Sequence, residues 1–151
     1  MDDLPAVWAA TNYVFEQSGI QPISLEEFRA EFCLPFTDFY DRFTPHVSLP
    51  QLEEWFHYHF RTAQHLVTDL PHAREFLLFC RQRGIRMFIL STIHKEYYLT
   101  HTAANGFDKF MDRAYLAIRD KRSQIGELLV ENGIDAQETL CLLYTSPSPR
   151  D

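Results

Sequence analysis

Two polar residues, Ser91 and Lys121, have the types and positions that could bind a phosphoryl group. Ser91 follows the apolar run at residues 85–90 and precedes Thr92 and a predicted helix. A hydroxyl group beside the free backbone N–H groups of a helix N-terminus forms a ready cradle for phosphate. The alternative is that Ser91 and Thr92 only cap that helix, as Ser and Thr commonly do, and these two residues alone favour capping.

Lys121 lies at the predicted start of a later helix, after a short strand predicted around residues 114–117. The positive end of a helix disfavours a cation, so a lysine there is unfavourable unless an anion shares the site. The simpler interpretation is a solvated surface lysine. Arg119 and Arg122 lie beside Lys121 in the chain and are easily confused with it. If the Lys121 side chain points away from Ser91, the alternatives are that Arg119 is the cation or that there is no site.

The sequence predicts no metal site. His57, His59 and His65 lie on one predicted helix, but their spacing does not place three ligands on one helical face, which indicates structural or surface roles. Asp2 and Asp3 are paired carboxylates, a combination that can serve acid–base or metal chemistry. No predicted strand precedes them, so we expect them to be charges at a helix N-terminus.

The first half of the chain predicts helices only. Apolar residues recur at helical spacing, and two S-x-x-E/Q capping boxes, at Ser24 and at Ser48, mark helix starts. The predicted helices cover residues 4–18, 25–32, a segment around 39–43, and 50 to about 66. No strand is predicted before residue 85.

The second half alternates helices and strands, which predicts a parallel sheet. The nearly continuous apolar run at 85–90 is typical of a strand buried on both faces, and residues 134–140 lead toward a further strand. Helices are predicted at 71–83, 95–104 and about 121–132, the first with an inward face of Ala73, Phe76, Leu77 and Cys80. Ligands of open parallel sheets bind at the carboxyl ends of the strands, so we expect Ser91 and Lys121 to lie close together there.

Composition limits the class of protein. A chain of 151 residues predicts one domain, or a core with a small appended lobe, and the net charge of −7 argues against a nucleic-acid partner. The sequence has neither a signal-peptide pattern nor a run of membrane-spanning length, so no membrane partner is expected. The cysteines show no CxxC spacing, which favours reduced thiols in a cytoplasmic protein.

Taken in order, these features resemble the haloacid dehalogenase (HAD) superfamily of hydrolases, and within it the phosphoglycolate-phosphatase-like type. The resemblance is carried by LPHAREFL through GI at residues 70–85, by FILS at 88–91 and by DKR at 120–122, and it covers residues 1 to about 140. It implies an α/β fold: a helical cap lobe at 1–70, and at 71–140 a partial HAD-like core of the Rossmann type with a parallel sheet.

The resemblance also implies a function. It predicts a Mg²⁺-dependent phosphomonoester hydrolase that acts on a small phosphorylated metabolite through an aspartyl-phosphate intermediate. Ser91, with Thr92, would bind the phosphoryl group, and Lys121 would offset its negative charge in an open cleft under the cap lobe. Two alternatives stay open: a non-catalytic α/β binding or interaction module, and a haloacid dehalogenase.

Two motifs of the resembled superfamily are not in the sequence. The nucleophilic aspartate and its acid–base partner would precede Met1, and an acidic metal-binding loop would follow Leu140, where residues 141–151 stand instead. That tail back-translates into DNA similar to a transposase adapter used in preparing sequencing libraries. We therefore expect residues 141–151 to be non-native, the chain to be truncated at both ends, and this fragment to be inactive.

Overall fold

A computed structural model describes residues 1–33, 35–118 and 120–142. The chain divides into two compact units, Met1–Leu70 and Pro71–Cys141. In the described ranges, no helix is both long enough and apolar enough to cross a membrane. The tail that we expect to be non-native lies outside the described residues, except for Cys141 and Leu142.

The N-terminal unit is helical, as the sequence predicts. Its elements are α1 (Leu4–Gln17), α2 (Leu25–Glu31), α3 (Phe36–Phe43), α4 (Leu49–Thr62) and a 3-10 turn at Ala63–Leu66. Its only β pairing among the described residues is a single antiparallel bridge between Asp2 and Thr68. The Asp2 carboxylate accepts a hydrogen bond from the Leu4 N–H at 3.2 Å, so it serves the start of α1 as expected.

Aromatic residues fill the core of this unit. The core cluster consists of Val14, Phe15, Phe28, Phe39, Tyr40 and Leu52. The Tyr40 hydroxyl is buried and lies 3.0 Å from the Thr11 hydroxyl, so its polar atom is satisfied. Burial raises the pKa of Tyr40 far above its ordinary value. The core of this unit therefore consists largely of aromatic rings that pack against one another across several helices.

The start of α2 is held by the predicted capping box. The Ser24 hydroxyl accepts from the Glu27 N–H at 3.2 Å, and the Glu27 carboxylate accepts from the Ser24 N–H at 2.8 Å. The hydrogen bond from the Ser24 backbone lowers the pKa of Glu27 below its ordinary value, and the hydrogen bond to the Ser24 side chain makes a smaller contribution in the same direction. The second predicted box is wrong: Ser48 precedes α4, but its side chain makes no capping hydrogen bond.

Glu27→Gln is expected to destabilise the N-terminal unit near neutral pH and to have little effect in acid. Because the folded-state pKa is lowered, the carboxylate stabilises the fold above its unfolded-state pKa, and this contribution is lost as pH falls through the folded-state pKa. Thermal unfolding of wild type and Glu27→Gln from about pH 7 to about pH 3 checks this. Glu26→Gln, in the same helical turn, is the control. An equal loss at every pH would contradict the capping interpretation.

The C-terminal unit contains a small parallel sheet with helices. Its elements are α5 (Ala73–Gln82), β1 (Phe88–Leu90), α6 (Lys95–Asn105), a 3-10 turn at Phe107–Phe110, β2 (Arg113–Tyr115), α7 (Lys121–Glu131) and a 3-10 turn at Ala136–Glu138. β1 and β2 pair in parallel, with Phe88 opposite Arg113 and Leu90 opposite Tyr115. The predicted α/β class and the parallel pairing of these two segments are confirmed.

β1 is shorter and less buried than the apolar run predicts. The Ile85 N–H donates to the Cys80 carbonyl at 3.0 Å, and Gly84 has a φ of +67°, which together close the C-terminus of α5. The first residue of the run is therefore used by the preceding helix cap. β1 begins only at Phe88, and its residues are half-buried instead of buried on both faces.

One further expectation about this unit is wrong. On the predicted inward face of α5 only Cys80 is buried, and Phe76 is 46% exposed. A two-stranded sheet presents little apolar area for a helix to cover, so the rest of that face stays in contact with water. Residues 134–140 lead toward a further predicted strand: up to Leu142 they form only the turn at Ala136–Glu138, and the rest of that segment lies outside the described residues.

Candidate functional site

Ser91 lies at the carboxyl edge of the sheet. Its N–H donates to the Tyr115 carbonyl at 2.9 Å, which extends the pairing one residue beyond β1, and its carbonyl accepts from the Ile118 N–H at 3.0 Å. The Ser91 hydroxyl accepts a hydrogen bond from the Ile93 N–H at 3.1 Å. A hydroxyl that accepts in this way keeps its own O–H to donate to a ligand.

Neither Ser91 nor Thr92 caps α6. The residue that precedes the helix is His94, whose side chain makes no capping hydrogen bond, and the Ser91 hydroxyl bonds an amide that lies before the helix. Thr92 is exposed. The capping role that the two residue types alone favour is therefore not the role that they have here. Their binding of a phosphoryl group stays a prediction.

Lys121 is the first residue of α7. The Ile118–Ser91 hydrogen bond holds the segment that leads into α7 against the Ser91 loop, so the two predicted site segments are adjacent in their backbones. The Lys121 side chain is exposed, and within the described part of the chain its ammonium makes no ion pair. Convergence of the Ser91 and Lys121 side chains stays a prediction, and Arg119 lies outside the described residues.

Asp120 occupies the N-cap of α7, a role that was not predicted for it. Its carboxylate accepts from the Arg122 N–H at 3.0 Å, and this hydrogen bond is the main cause that holds the pKa of Asp120 below its ordinary value. The carboxylate offsets the positive helix end beside Lys121, which weakens the argument that an external anion must share the site. An aspartate directly before a helical pattern is a common N-cap signal that the sequence did carry.

The far end of α7 is anchored to β2 through Tyr115. The Tyr115 hydroxyl donates to the Glu131 carboxylate at 2.8 Å and accepts from the Asn132 side-chain amide at 2.8 Å. Glu131 also forms an ion pair with Arg113 at 3.1 Å. The C-terminal end of α7 is therefore tied to β2 by side-chain contacts.

A resident metal ion has no ready site in the described ranges. No group of three or more His, Cys, Asp or Glu among those residues could hold one. His59 stacks on Tyr13 with ring centroids 4.8 Å apart, and His65 donates to the Thr62 carbonyl at 2.9 Å, so both have structural roles. The described residues do not fit a Mg²⁺ site.

Comparison with known proteins identifies the family. A model of the family described as haloacid dehalogenase-like hydrolase matches residues 1–142. The chain therefore belongs to the haloacid dehalogenase-like hydrolase family. No curated protein matches it.

Solved structures support the same fold. A Clostridium difficile protein provisionally named a phosphatase aligns with a TM-score of 0.69 at 13% identity, over 90% of this chain and 66% of its own. A Bacteroides fragilis protein provisionally named a haloacid dehalogenase-like hydrolase gives 0.70 at 14%, over 89% and 68%. A Thermotoga maritima protein provisionally named β-phosphoglucomutase gives 0.64 at 16%, over 91% and 68%. The chain thus spans about two thirds of each.

Proposed function

We propose that this chain carries the phosphoryl-binding part of a phosphomonoester hydrolase of the phosphoglycolate-phosphatase-like type. The observation that supports the proposal is the backbone hydrogen bond from Ile118 to Ser91, which joins the Ser91 loop to the segment that leads toward α7. Membership of a hydrolase family supports it. The sheet edge is where open parallel sheets bind their ligands.

The chemistry of the proposed site follows from its donors. Ser91 donates its O–H to a phosphoryl oxygen, Thr92 offers a second exposed hydroxyl, and the Lys121 ammonium offsets negative charge that develops in the transition state. Residues 1–70 act as a cap that selects a small phosphorylated metabolite in the cytoplasm. Two of the similar structures bear provisional names of phosphoryl chemistry, a phosphatase and a phosphoglucomutase, which supports this substrate class.

The same proposal includes nucleophilic catalysis in the intact parent enzyme. An aspartate attacks phosphorus, an aspartyl-phosphate forms as the alcohol leaves, and water then attacks that intermediate to release phosphate. The parent is proposed to depend on Mg²⁺. The 151 residues contain no D-x-D pair that could supply the nucleophile and its acid–base partner.

We expect this chain to show no turnover of p-nitrophenyl phosphate in the presence of Mg²⁺. Ser91 and Lys121 stabilise a transition state but neither attacks phosphorus, so positioning without a nucleophile gives no covalent intermediate. A colorimetric assay of the purified protein measures this, with Ser91→Ala as the matched control. Turnover that disappears in Ser91→Ala would show that a complete catalytic set is present and would contradict the expectation.

The coding sequence that flanks this chain in its source DNA tests the function itself. A phosphatase requires an apolar strand followed by D-x-D-G-T directly upstream of Asp2. A single aspartate without its partner would favour a haloacid dehalogenase. The absence of any aspartate at that point would refute the hydrolase proposal and leave a non-catalytic binding module.

A further inference from the structure

Ala117 has a backbone conformation that its side chain disfavours. Its φ is +57°, and the only other non-glycine residue with positive φ among the described residues is His72. In the left-handed region the Cβ of an L-residue comes close to the following carbonyl oxygen, so glycine or asparagine usually fills such positions. A strained residue persists only where its surroundings hold it, and such residues cluster at functional sites.

The hydrogen bonds around Ala117 show what holds it. The Ala117 N–H donates to the Ile93 carbonyl at 3.0 Å, and the next N–H, of Ile118, donates to the Ser91 carbonyl at 3.0 Å. Successive N–H groups of an extended strand point to opposite sides, so they could not both reach the same neighbouring loop. The left-handed turn at Ala117 directs both donors toward the Ser91–Ile93 loop.

These two bonds fix the route from β2 into α7. With the Ser91–Tyr115 bond at 2.9 Å, they attach the last residue of β2 and the chain that follows it to the Ser91 loop at three points. The chain then enters α7, whose first residue is Lys121. The conformation of Ala117 therefore fixes the backbone at Ile118, three residues before Lys121, against the Ser91 loop.

We propose that Ala117 is a positioning residue for the phosphoryl site of Ser91 and Lys121. The inference rests on the proposed function and adds to it a residue that touches no ligand and acts through the backbone. Ala117 is exposed, so a larger side chain there changes the backbone preference without overpacking a core. The effect of a substitution at this position can therefore be assigned to backbone geometry and not to packing.

The test is a titration of each variant with inorganic phosphate, in which binding is monitored through the amide chemical shifts. Ala117→Gly and Ala117→Asn tolerate the left-handed conformation, so they are expected to bind phosphate as tightly as wild type. Ala117→Val, whose β-branched side chain disfavours it further, is expected to bind about tenfold more weakly. Ala104→Val, the same change at an exposed position near the end of α6, is the matched control and is expected to leave binding unchanged.

A second measurement on the wild-type protein covers the case in which Ala117→Val does not fold. If binding and loop geometry are coupled, phosphate is expected to slow hydrogen exchange at the Ala117 and Ile118 amides. Unchanged exchange, or a folded Ala117→Val that binds like wild type while Ser91→Ala does not, overturns the role of Ala117 and leaves the proposed function intact. No phosphate binding by wild type, or binding unaffected by Ser91→Ala, overturns both.

Discussion

Replacing Phe39 by alanine is expected to lower the free energy of unfolding of the N-terminal unit by about 3–5 kcal/mol, the usual cost of removing a buried phenylalanine. Phe39 is 0% exposed, and its ring contacts those of Phe43 at 4.9 Å, Phe32 at 5.5 Å and Phe28 at 5.8 Å between centroids. A small unit has total stability of only about 5–15 kcal/mol, so the variant should be largely unfolded at moderate urea.

The control for this prediction lies on the same helix. Phe36 in α3 is 37% exposed, so Phe36→Ala removes less buried area and should cost clearly less than Phe39→Ala. Both tryptophans, Trp8 and Trp55, lie in the N-terminal unit, so urea unfolding followed by tryptophan fluorescence reports on that unit. Equal urea midpoints for the two variants would contradict the core assignment.

Lys121→Met is expected to weaken the binding of inorganic phosphate by about ten- to a hundredfold. A hydrogen bond to a charged group is worth about 1.5–3 kcal/mol, and each 1.4 kcal/mol is a factor of about ten in Kd. The Lys121 ammonium makes no ion pair within the described residues, so in that part of the chain the substitution breaks no ion pair. Loss of affinity can then be assigned to the ligand.

Lys109→Met is the matched control for that substitution. Lys109 lies in the 3-10 turn at Phe107–Phe110 and, like Lys121, is exposed. Each variant loses one lysine, so the two have the same net charge. Isothermal titration with phosphate at low ionic strength compares the two, because screening by salt would reduce both effects. Equal affinities of the two variants would mean that Lys121 acts only through general charge.

Local signals in the sequence predicted most helix starts, but not the side-chain hydrogen bonds that compete with the predicted caps. The capping box at Ser24 forms as expected, whereas at Ser48 the same pattern fails because the Gln51 side chain donates to Glu54 on the same helix at 3.0 Å. The spacing of Gln51 and Glu54 on one helical face allows both arrangements, and the pattern alone does not decide between them. Helix existence was therefore predictable, and the detail of each cap was not.

The candidate site shows the same limit. The α/β order of elements was enough to place Ser91 at the carboxyl edge of the sheet, since parallel strands end at one edge. The left-handed conformation of Ala117 had no sequence signal, because alanine disfavours it and the hydrogen bonds to Ile93 and Ser91 hold it. The exposure of Phe76 depends on how many strands α5 can pack against, and the helical pattern of α5 gives no information about that number.

The central claim is that Ser91 and Lys121 bind one phosphoryl group, and a double-mutant cycle tests it most directly. Phosphate affinity is measured for wild type, Ser91→Ala, Lys121→Met and the double variant. Two groups on one ligand are coupled, so each single variant should lose about tenfold or more and the double variant should lose clearly less than the product of the two losses. The claim would be contradicted if wild type showed no saturable phosphate binding. It would also be contradicted if the loss of affinity in the double variant equalled the product of the two single losses.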